Sequence, residues 1–288
     1  MKLLAVVVLY YPDETVLANI RTYLSGVDCL LLWDNTPGDS IDKERQRSLQ
    51  TLEKSVYMSN GSNAGIGAAL NGAVDYARQH GFTHLVTFDQ DSSFASDDFL
   101  CYLEAVRNYG RDVRAIFSTN YFIKSQQAPL YPVEDAVVEV PSAMTSGSLY
   151  PLSLFDELGG FMSDLFVWGI DCEFCWRAAR YQIPTLCFKN ILLQHDLGYQ
   201  KRKRRLLGKE VFPNEYPPAR TYYNVRNGIV LHRLYPEFIN LRAHLRYHLY
   251  KRVVFVLLYE DRKMAKLRAL WLGWLDGHRG KLGVRKDL

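Results

Sequence analysis

The chain has 288 residues, of which 48% are hydrophobic and 13% aromatic. This length and composition supply a large core and exclude a disordered or collagen-like chain. The net charge of +4 is uneven, because residues 1–198 carry 14 Lys and Arg against 24 Asp and Glu, whereas residues 199–288 carry 21 against 7. This distribution favours an anionic surface, and not a nucleic acid, as the partner of the C-terminal region.

The five cysteines form an odd and scattered set, which is typical of a reducing compartment. Cys172 and Cys175 form a C-x-x-C without a second pair, so we interpret them as small apolar residues of a helix. The apolar run at residues 3–11 lacks a small-residue cleavage site, and the run at residues 253–259 is too short to span a bilayer. These features predict a cytoplasmic protein.

Strand and helix patterns alternate over the first ninety residues. The nearly continuous Leu/Val run at residues 3–9 is typical of a strand buried on both faces of a parallel sheet. The predicted elements are strands at residues 3–9, 29–33, 55–58 and 83–88 and helices at residues 15–25, 41–54 and 67–80. This order predicts an α/β fold with a Rossmann-like, mainly parallel central sheet flanked by helices.

Beyond residue 110 the pattern is less regular. We predict strands at residues 113–118, 137–140, 148–150 and 185–193 and helices at residues 152–158 and 170–181. The part of the chain after residue 200 is basic, aromatic and mostly helical in pattern. We therefore predict one domain over residues 1–200 and a basic helical C-terminal region over residues 201–288.

Polar residues follow four predicted strands, at the edge where parallel α/β sheets bind ligands. They lie at residues 10–12, 34–35, 60–65 and 89–91. Asp89 and Asp91 can face one point, because alternate side chains of an extended segment point the same way while Gln90 turns aside. Two such carboxylates suit Mg²⁺ or Mn²⁺ carrying substrate phosphates. The alternative interpretation is that these are ordinary turn residues.

His195 follows the last predicted strand. It is a candidate third metal ligand, with Asp196 orienting its second ring nitrogen, and a purely structural histidine is the alternative. Asp171 and Glu173 begin a predicted helix, where a carboxylate serves as an N-terminal cap or as a general base. Phe166 and Trp168 precede them and would desolvate that base or stack on a sugar.

The C-terminal region contains a basic run at residues 201–205 and the mixed segment 220–227, in which Arg226 is a candidate fork for phosphate oxygens. Residues 231–251 interleave Arg and His with Leu and Tyr. Residues 264–274 place four apolar side chains on one helical face, namely Leu267, Leu270, Trp271 and Trp274. Such basic amphipathic stretches are typical of membrane interfaces. Packing on the rest of the chain or on a second subunit is the alternative.

The order of these motifs resembles that of the inverting family-2 glycosyltransferases with a GT-A fold, most closely their bacterial rhamnosyltransferase branch. The segments that carry the resemblance are Val6 to Pro12, Asp34-Asn35, Asn63 to Gly67 with Asn71-Gly72, Phe88 to Ser92, Ser146-Gly147, Gly159 to Phe161, Asp171 to Phe174 with Arg177, His195 with Gly198, and Tyr222-Tyr223 with Arg226-Asn227. The family often has Glu-Asp at the base, and here Ile170 precedes Asp171.

The resemblance implies a GT-A catalytic domain over residues 1–200, with a nucleotide-sugar half at about 1–110 and an acceptor half at about 111–200. It implies a metal-dependent enzyme that moves L-rhamnose from dTDP-L-rhamnose onto a saccharide during synthesis of a bacterial surface polysaccharide. A UDP-hexose or UDP-galactofuranose donor, and a non-catalytic sugar- or nucleotide-binding protein, are the alternatives. An acceptor on a lipid diphosphate would place the protein at the inner face of the cell membrane, and a homodimer is left open.

The resemblance also implies a role for each site residue. Asp171 would be the general base, with Glu173 as the alternative. Asp89, Asp91 and His195 would hold Mg²⁺ or Mn²⁺. The donor would be bound by Tyr10, Tyr11, Pro12, Asp34, Asn35, Asn63, Gly65, Asn71, Asp89, Gln90 and Arg226, and the acceptor by Phe166, Trp168, Tyr222 and Tyr223.

Overall fold

The structure is a computed structural model that describes residues 1–95, 97–110, 113–195, 200–201, 204–206, 209–211 and 214–288. The chain divides into two compact units. Unit 1 comprises Met1–Met162 and Asp171–Leu197, and unit 2 comprises Ser163–Ile170 and Gly198–Leu288. The short segment 163–170 therefore belongs with the C-terminal region, which the sequence did not predict.

The strands are β1 (Leu3–Leu9), β2 (Cys29–Asp34), β3 (Ser55–Ser59), β4 (His84–Asp89), β5 (Ser93–Phe94), β6 (Ile116–Ile123), β7 (Ala128–Pro129), β8 (Val137–Glu139), β9 (Ser148–Pro151), β10 (Thr185–His195), β11 (Gln200–Lys201), β12 (Arg204–Leu206), β13 (Lys209–Val211) and β14 (Asn214–Glu215). The α-helices are α1 (Thr15–Arg21), α2 (Lys43–Gln50), α3 (Ile66–Gln79), α4 (Asp98–Tyr109), α5 (Ser153–Leu158), α6 (Ile170–Arg180), α7 (Pro218–Leu234), α8 (Leu241–Leu245), α9 (Lys251–Tyr259) and α10 (Lys263–Arg279).

The central sheet of unit 1 has the strand order β3-β2-β1-β4-β9-β6-β10-β5, with β7 and β8 attached to β6 and β10. Strands β1 to β4 are parallel, β9 runs antiparallel to both of its neighbours, and β6 and β10 are parallel again. The Leu/Val run of β1 is almost wholly buried, because β1 lies inside the sheet with helices on its faces. The predicted α/β class with a mainly parallel sheet is confirmed.

Strand β6 differs from the prediction at both ends. Strand β6 begins at Ile116 and continues to Ile123, well past the predicted end at residue 118. Thr119 and Asn120 interrupt the apolar pattern but are fully buried, and the Asn120 amide donates to the carbonyls of Tyr131 and Lys189. Tertiary hydrogen bonds thus allow polar residues inside a strand that the sequence pattern ends early.

Helix α4 was not predicted at all. Its buried residues Phe99, Tyr102, Leu103 and Val106 have helical spacing, which is the signal that could have identified it. Phe99 joins an aromatic cluster in the main core, where the Tyr23 and Phe88 rings stack with centroids 4.1 Å apart. This cluster lies directly beneath the end of β4 that carries Asp89.

Unit 2 is built on helices α7 and α10, which pack closely against each other. Gly273 of α10 permits this approach, because a Cβ at that position would lie 2.6 Å from the carbonyl oxygen of Tyr222 on α7. A five-residue π-helix, Arg246–Tyr250, connects α8 to α9, so that residues 241–259 form one continuous helical stretch. Within the described part of the chain, none of the helices combines the length and hydropathy needed to cross a membrane.

Candidate active site

The ends of three parallel strands meet at one edge of the sheet in unit 1. In the strand register, Leu9 of β1 is opposite Asp34 of β2, and Val8 is opposite Asp89 of β4. The polar residues that follow these strands are therefore neighbours in space although they are far apart in sequence. This edge is where ligands bind in open α/β sheets.

Asp34 is buried at this edge and holds the local loop together. Its Oδ1 accepts from the Thr36 amide at 2.8 Å, and its Oδ2 accepts from the Tyr57 hydroxyl at 2.6 Å. Burial, reinforced by the hydrogen bond to Asp34, raises the pKa of Tyr57, so the phenol keeps the proton it donates. Asn35 donates to the carbonyl of Gly65 at 3.2 Å, while its buried Oδ1 accepts no hydrogen bond from the residues that the structure describes.

Gln90 and Tyr10 tie β4 to β1. The Tyr10 amide donates to Gln90 Oε1 at 2.8 Å, and Gln90 Nε2 donates back to the Tyr10 carbonyl at 3.2 Å. The rings of Tyr10 and Tyr11 are about half exposed and meet edge to face with centroids 4.7 Å apart, next to the half-buried Pro12. Two exposed aromatic rings beside a strand end offer a stacking surface for a planar ligand.

The side chains of Asn63 and Asn71 both form hydrogen bonds with backbone groups. Asn63 Oδ1 accepts from the Gly65 amide at 2.9 Å. Gly65 has a positive φ and directly precedes α3. Asn71 holds Phe161 from both sides, because its Nδ2 donates to the Phe161 carbonyl at 2.9 Å and its Oδ1 accepts from the Phe161 amide at 2.7 Å. Asn71 thus has a structural role in this structure, and its donor-binding role remains a prediction.

Asp89, Asp91 and His195 converge, each offering one ligand atom within 4.8 Å of the others. His195 Nδ1 lies 3.4 Å from Asp91 Oδ1 and 3.0 Å from the Ser92 hydroxyl. Ser146 completes the support, because its hydroxyl accepts from the Asp89 amide at 3.0 Å and lies 2.7 Å from that of Ser92. Two buried serines thus position the site: Ser146 accepts from the backbone amide of Asp89, and Ser92 contacts the ring of His195.

The surroundings of Asp91 fit a divalent cation. Its side chain is 47% exposed, but its Oδ1 is buried and accepts no hydrogen bond from any described residue. An anionic oxygen buried without a donor is costly, and a hard cation shared with a second carboxylate and an imidazole would satisfy it. The set could therefore hold a metal ion. The predicted partner Asp196 and Gly198 lie outside the described residues, as do the side chains of the basic run at 201–205.

Glu173 and Asp171, both on α6, have different environments. Glu173 is buried in a bidentate ion pair, in which Arg177 Nε and Nη2 donate to its two oxygens at 2.9 and 2.6 Å. Arg177 Nη1 also donates to the carbonyl of Leu158 at 2.6 Å. This pair ties Glu173 to the framework, and its use as an alternative base remains a prediction.

Asp171 lines a cavity of about 290 Å³ in unit 1. Its Oδ1 accepts from the Cys172 amide at 2.9 Å, which leaves the carboxylate at the first turn of α6, on the cavity wall. The other lining residues are Ser118, Thr119, Tyr121, Ile123, Gln126, Leu130, Tyr131, Val140, Ser142, Ala143, Met144, Cys172 and Cys187. Asp171, Gln126 and Ser142 give the lining polar side chains beside its apolar walls. Sequence patterns did not predict this cavity, because its walls come from distant segments.

The remaining predicted residues lie in unit 2. Arg226 is fully buried, and its guanidinium donates to Asn227 Oδ1 and to the carbonyls of Gly283, Asp164 and Leu165. Arg226 has no exposed surface in this structure, and its donor-binding role remains a prediction. Through these hydrogen bonds, Arg226 links the segment 163–170 to α7.

Tyr222 and Tyr223 are buried rather than facing an acceptor. The Tyr222 hydroxyl donates to Asp276 Oδ2 at 2.8 Å, and the Tyr223 oxygen accepts from the Arg285 amide at 2.9 Å. Burial together with Asp276 raises the pKa of Tyr222 to about 12. The Phe166 ring packs on Tyr223 at 5.1 Å, so these aromatic residues form the core of unit 2.

Trp168 is half-buried and packs against two histidines. Its ring lies 5.1 Å from that of His244 and 5.9 Å from that of His248. The Trp168 carbonyl accepts from Asn227 at 2.6 Å. The predicted acceptor role of Trp168 remains a prediction.

Comparison with known proteins finds glycosyltransferases in both sequence and fold. No family profile matches the chain. The dTDP-rhamnosyl transferase RfbF of Shigella flexneri is 25% identical over 305 residues, which cover 97% of this chain and 96% of that protein. Two solved structures superpose on it: GalNAc-T7 with UDP, GalNAc and Mn²⁺ with a TM-score of 0.61 at 10% identity, and S. aureus TarS 1–349 with UDP-GlcNAc with a TM-score of 0.58 at 14% identity. The chain is a glycosyltransferase with the GT-A fold.

This glycosyltransferase matches the two structures over nearly its whole length, covering 97% of its own residues but 56% of GalNAc-T7, and 96% of its own residues and 81% of TarS. The sequence match confirms the resemblance to rhamnosyltransferases drawn from the motif order. The structural matches confirm the GT-A fold.

Proposed function

We propose that this glycosyltransferase transfers L-rhamnose from dTDP-L-rhamnose to a saccharide hydroxyl during synthesis of a bacterial surface polysaccharide. The observation that carries the proposal is the convergence of Asp89, Asp91 and His195 at the ligand-binding edge of the sheet. The choice of donor is supported by the 25% identity to a dTDP-rhamnosyl transferase. A UDP-hexose or UDP-galactofuranose is the alternative donor, since both structural neighbours were solved with UDP or a UDP-sugar.

In this proposal Asp89, Asp91 and His195 hold Mg²⁺ or Mn²⁺. A bound ion of this kind neutralises charge on the leaving nucleoside diphosphate. The assignment is supported by the buried, unsatisfied Oδ1 of Asp91 and by the Mn²⁺ in GalNAc-T7. Tyr10 and Tyr11, which are exposed at the same edge, flank the nucleobase, while Asp34 acts by holding the loop that supports them.

Asp171 acts as the general base. It accepts the proton of the acceptor hydroxyl, and the resulting oxygen nucleophile attacks the anomeric carbon from the face opposite the diphosphate. The new glycosidic bond forms as the bond to the diphosphate breaks, so one displacement inverts the configuration. Asp171 is favoured over Glu173 because Arg177 occupies both oxygens of Glu173.

The cavity beside Asp171 is the proposed acceptor pocket. Its volume of about 290 Å³ lies at the lower end of the range for ligand pockets and suits one monosaccharide ring. Apolar walls from Ile123, Val140 and Met144 suit the aliphatic face of a pyranose.

The donor is tested by thermal stabilisation with Mn²⁺ present. We expect dTDP-L-rhamnose to raise the melting temperature more than UDP-glucose, UDP-GlcNAc or UDP-galactofuranose at equal concentration, since only a ligand that binds the folded state stabilises it. Release of dTDP on addition of saccharide acceptors would then demonstrate transfer. Greater stabilisation by a UDP-sugar would overturn the choice of donor, and stabilisation without turnover would favour the sugar-binding protein.

Replacing the proposed base separates catalysis from binding. Asp171→Asn keeps the shape of the side chain but cannot accept the proton, so we expect kcat to fall by about 10²- to 10⁴-fold. The stabilisation by dTDP-L-rhamnose should persist. The control Asp156→Asn changes an exposed carboxylate in a surface ion pair with Arg78 and should leave turnover unchanged. Full turnover by Asp171→Asn would remove Asp171 from the mechanism.

A further inference from the structure

The helical stretch 241–259 in unit 2 has two apolar faces. One face packs into the unit, where Leu241, Leu245, Leu249 and Val253 contact the core cluster that contains Ile229. This contact fixes the rotation of the stretch about its own axis. The opposite face is consequently turned outward.

The outward face carries a second apolar row, which we call the exposed stripe. It consists of Tyr247, Tyr250, Val254, Leu257 and Leu258. Their spacing of three, four, three and one residues places them on one side of a helix. Each is between 45% and 62% exposed. Such a row of large apolar side chains marks an interaction surface rather than scattered surface residues.

The charged residues within the stretch 241–259 have a single sign. Arg242, Arg246 and Lys251 are exposed on the same stretch, and residues 241–259 contain no Asp or Glu. Two carboxylates follow the stretch: Glu260 is buried in ion pairs with Arg252 and Lys266, and Asp261 is exposed and pairs with the same lysine. A partner that covers the stripe must therefore be apolar at its centre and anionic at its margin.

We propose that the exposed stripe docks on an anionic phospholipid surface. A bilayer interface offers both required features, acyl chains for Val254, Leu257 and Leu258 and phosphate headgroups for the basic flank. The two tyrosines suit the headgroup depth. A second copy of the chain fits less well, because stripe-to-stripe contact would bring the arginines and lysines of both stretches together, and the stretch itself has no carboxylate to offset them. This proposal does not depend on which sugar donor is used.

Vesicle flotation tests the proposal. We expect the full chain to float with vesicles of phosphatidylglycerol and phosphatidylcholine, and much less with phosphatidylcholine alone. The triple variant Val254→Ser, Leu257→Ser and Leu258→Ser should weaken binding by about tenfold or more. Arg246→Gln and Lys251→Gln should each weaken it by about fivefold, an effect that high salt reproduces.

The matched control replaces exposed apolar residues of unit 1. Leu100→Ser with Val133→Ser removes comparable exposed side chains and should leave flotation unchanged. Retention of the melting temperature by the stripe variants confirms that they fold. Undiminished flotation of the triple variant would overturn the proposal, as would a dimer of the full chain that the triple variant converts to a monomer in light scattering.

Discussion

At the scale of the residue, Asp91 differs from an ordinary surface carboxylate in that its two oxygens have different surroundings. One oxygen is reached by solvent, while Oδ1 is buried 3.4 Å from His195 and is not hydrogen-bonded to any described residue. The cost of that arrangement is recovered when a cation binds. A purely structural role in the turn would not explain this buried oxygen, because it accepts no hydrogen bond from the described residues.

Asp91→Asn should therefore act on metal binding before it acts on folding. The amide is neutral and a weaker ligand, so we expect the affinity for Mn²⁺, measured by calorimetry or electron paramagnetic resonance, to fall by at least about 100-fold. The melting temperature without metal should change little, because the Asp91 side chain is 47% exposed and its buried Oδ1 accepts no hydrogen bond from the described residues. Asp75→Asn, at an exposed carboxylate of α3, is the control. Equal Mn²⁺ affinity in both variants would exclude Asp91 as a ligand.

At the scale of the element, helix α10 shows how the structure chooses between two interpretations of one pattern. The sequence predicts an apolar face at residues 264–274, either for a membrane interface or for packing on the rest of the chain or on a second subunit. In the structure Leu270 is buried and Leu267 packs against the same cluster, so most of this face contacts α7. Trp271 alone of the predicted four is largely exposed. Amphipathic periodicity reveals that a helix has an apolar face, but not what covers it.

Asn71 connects two elements of unit 1, helix α3 and the turn at Phe161. Asn71→Ala leaves the buried amide and carbonyl of Phe161 without partners, so we expect the free energy of unfolding to fall by about 2 to 3 kcal/mol. Urea denaturation measures the change. Asn108→Ala, at an exposed position of α4, should stay within about 0.5 kcal/mol of the wild type. A loss of donor binding with unchanged stability would instead support the ligand role predicted from sequence.

At the scale of the whole molecule, stability should depend on pH through buried neutral histidines. Burial lowers the pKa of His248 to about 3, with further lowering by the charges of His244 and Arg252. Between this value and the usual 6.5 the unfolded chain binds a proton that the folded chain does not. Stability therefore rises with pH across that window and is lost as the pH falls below 6.5.

We expect His248 to account for a loss of about 2 kcal/mol in the free energy of unfolding between pH 8 and pH 5. His248→Phe keeps a ring against Trp168 and His244, and it should flatten this part of the pH dependence measured by urea denaturation. His278→Asn changes an exposed histidine and serves as the control. An unchanged pH profile in His248→Phe would show that other groups govern acid unfolding.

Much of the fold was accessible from the sequence because it depends on local patterns. The buried run of β1, the alternation of strands and helices, and the polar residues after each strand are properties of short segments, and they predicted the α/β sheet and the edge that carries Asp89 and Asp91. The exceptions include α4, the short strands β5 and β7, and the extension of β6, whose buried polar residues imitate a loop.

The sequence by itself determined which residue types stand at the strand ends and that the C-terminal region is basic and amphipathic. Only the tertiary structure decided which of them are used for folding. Arg177 commits Glu173 to an ion pair and leaves Asp171 on a cavity wall, while backbone carbonyls of segments far along the chain surround Arg226. The physical reason is that a polar side chain binds the nearest partner in space, and spatial neighbours are set by long-range packing that local periodicity does not encode.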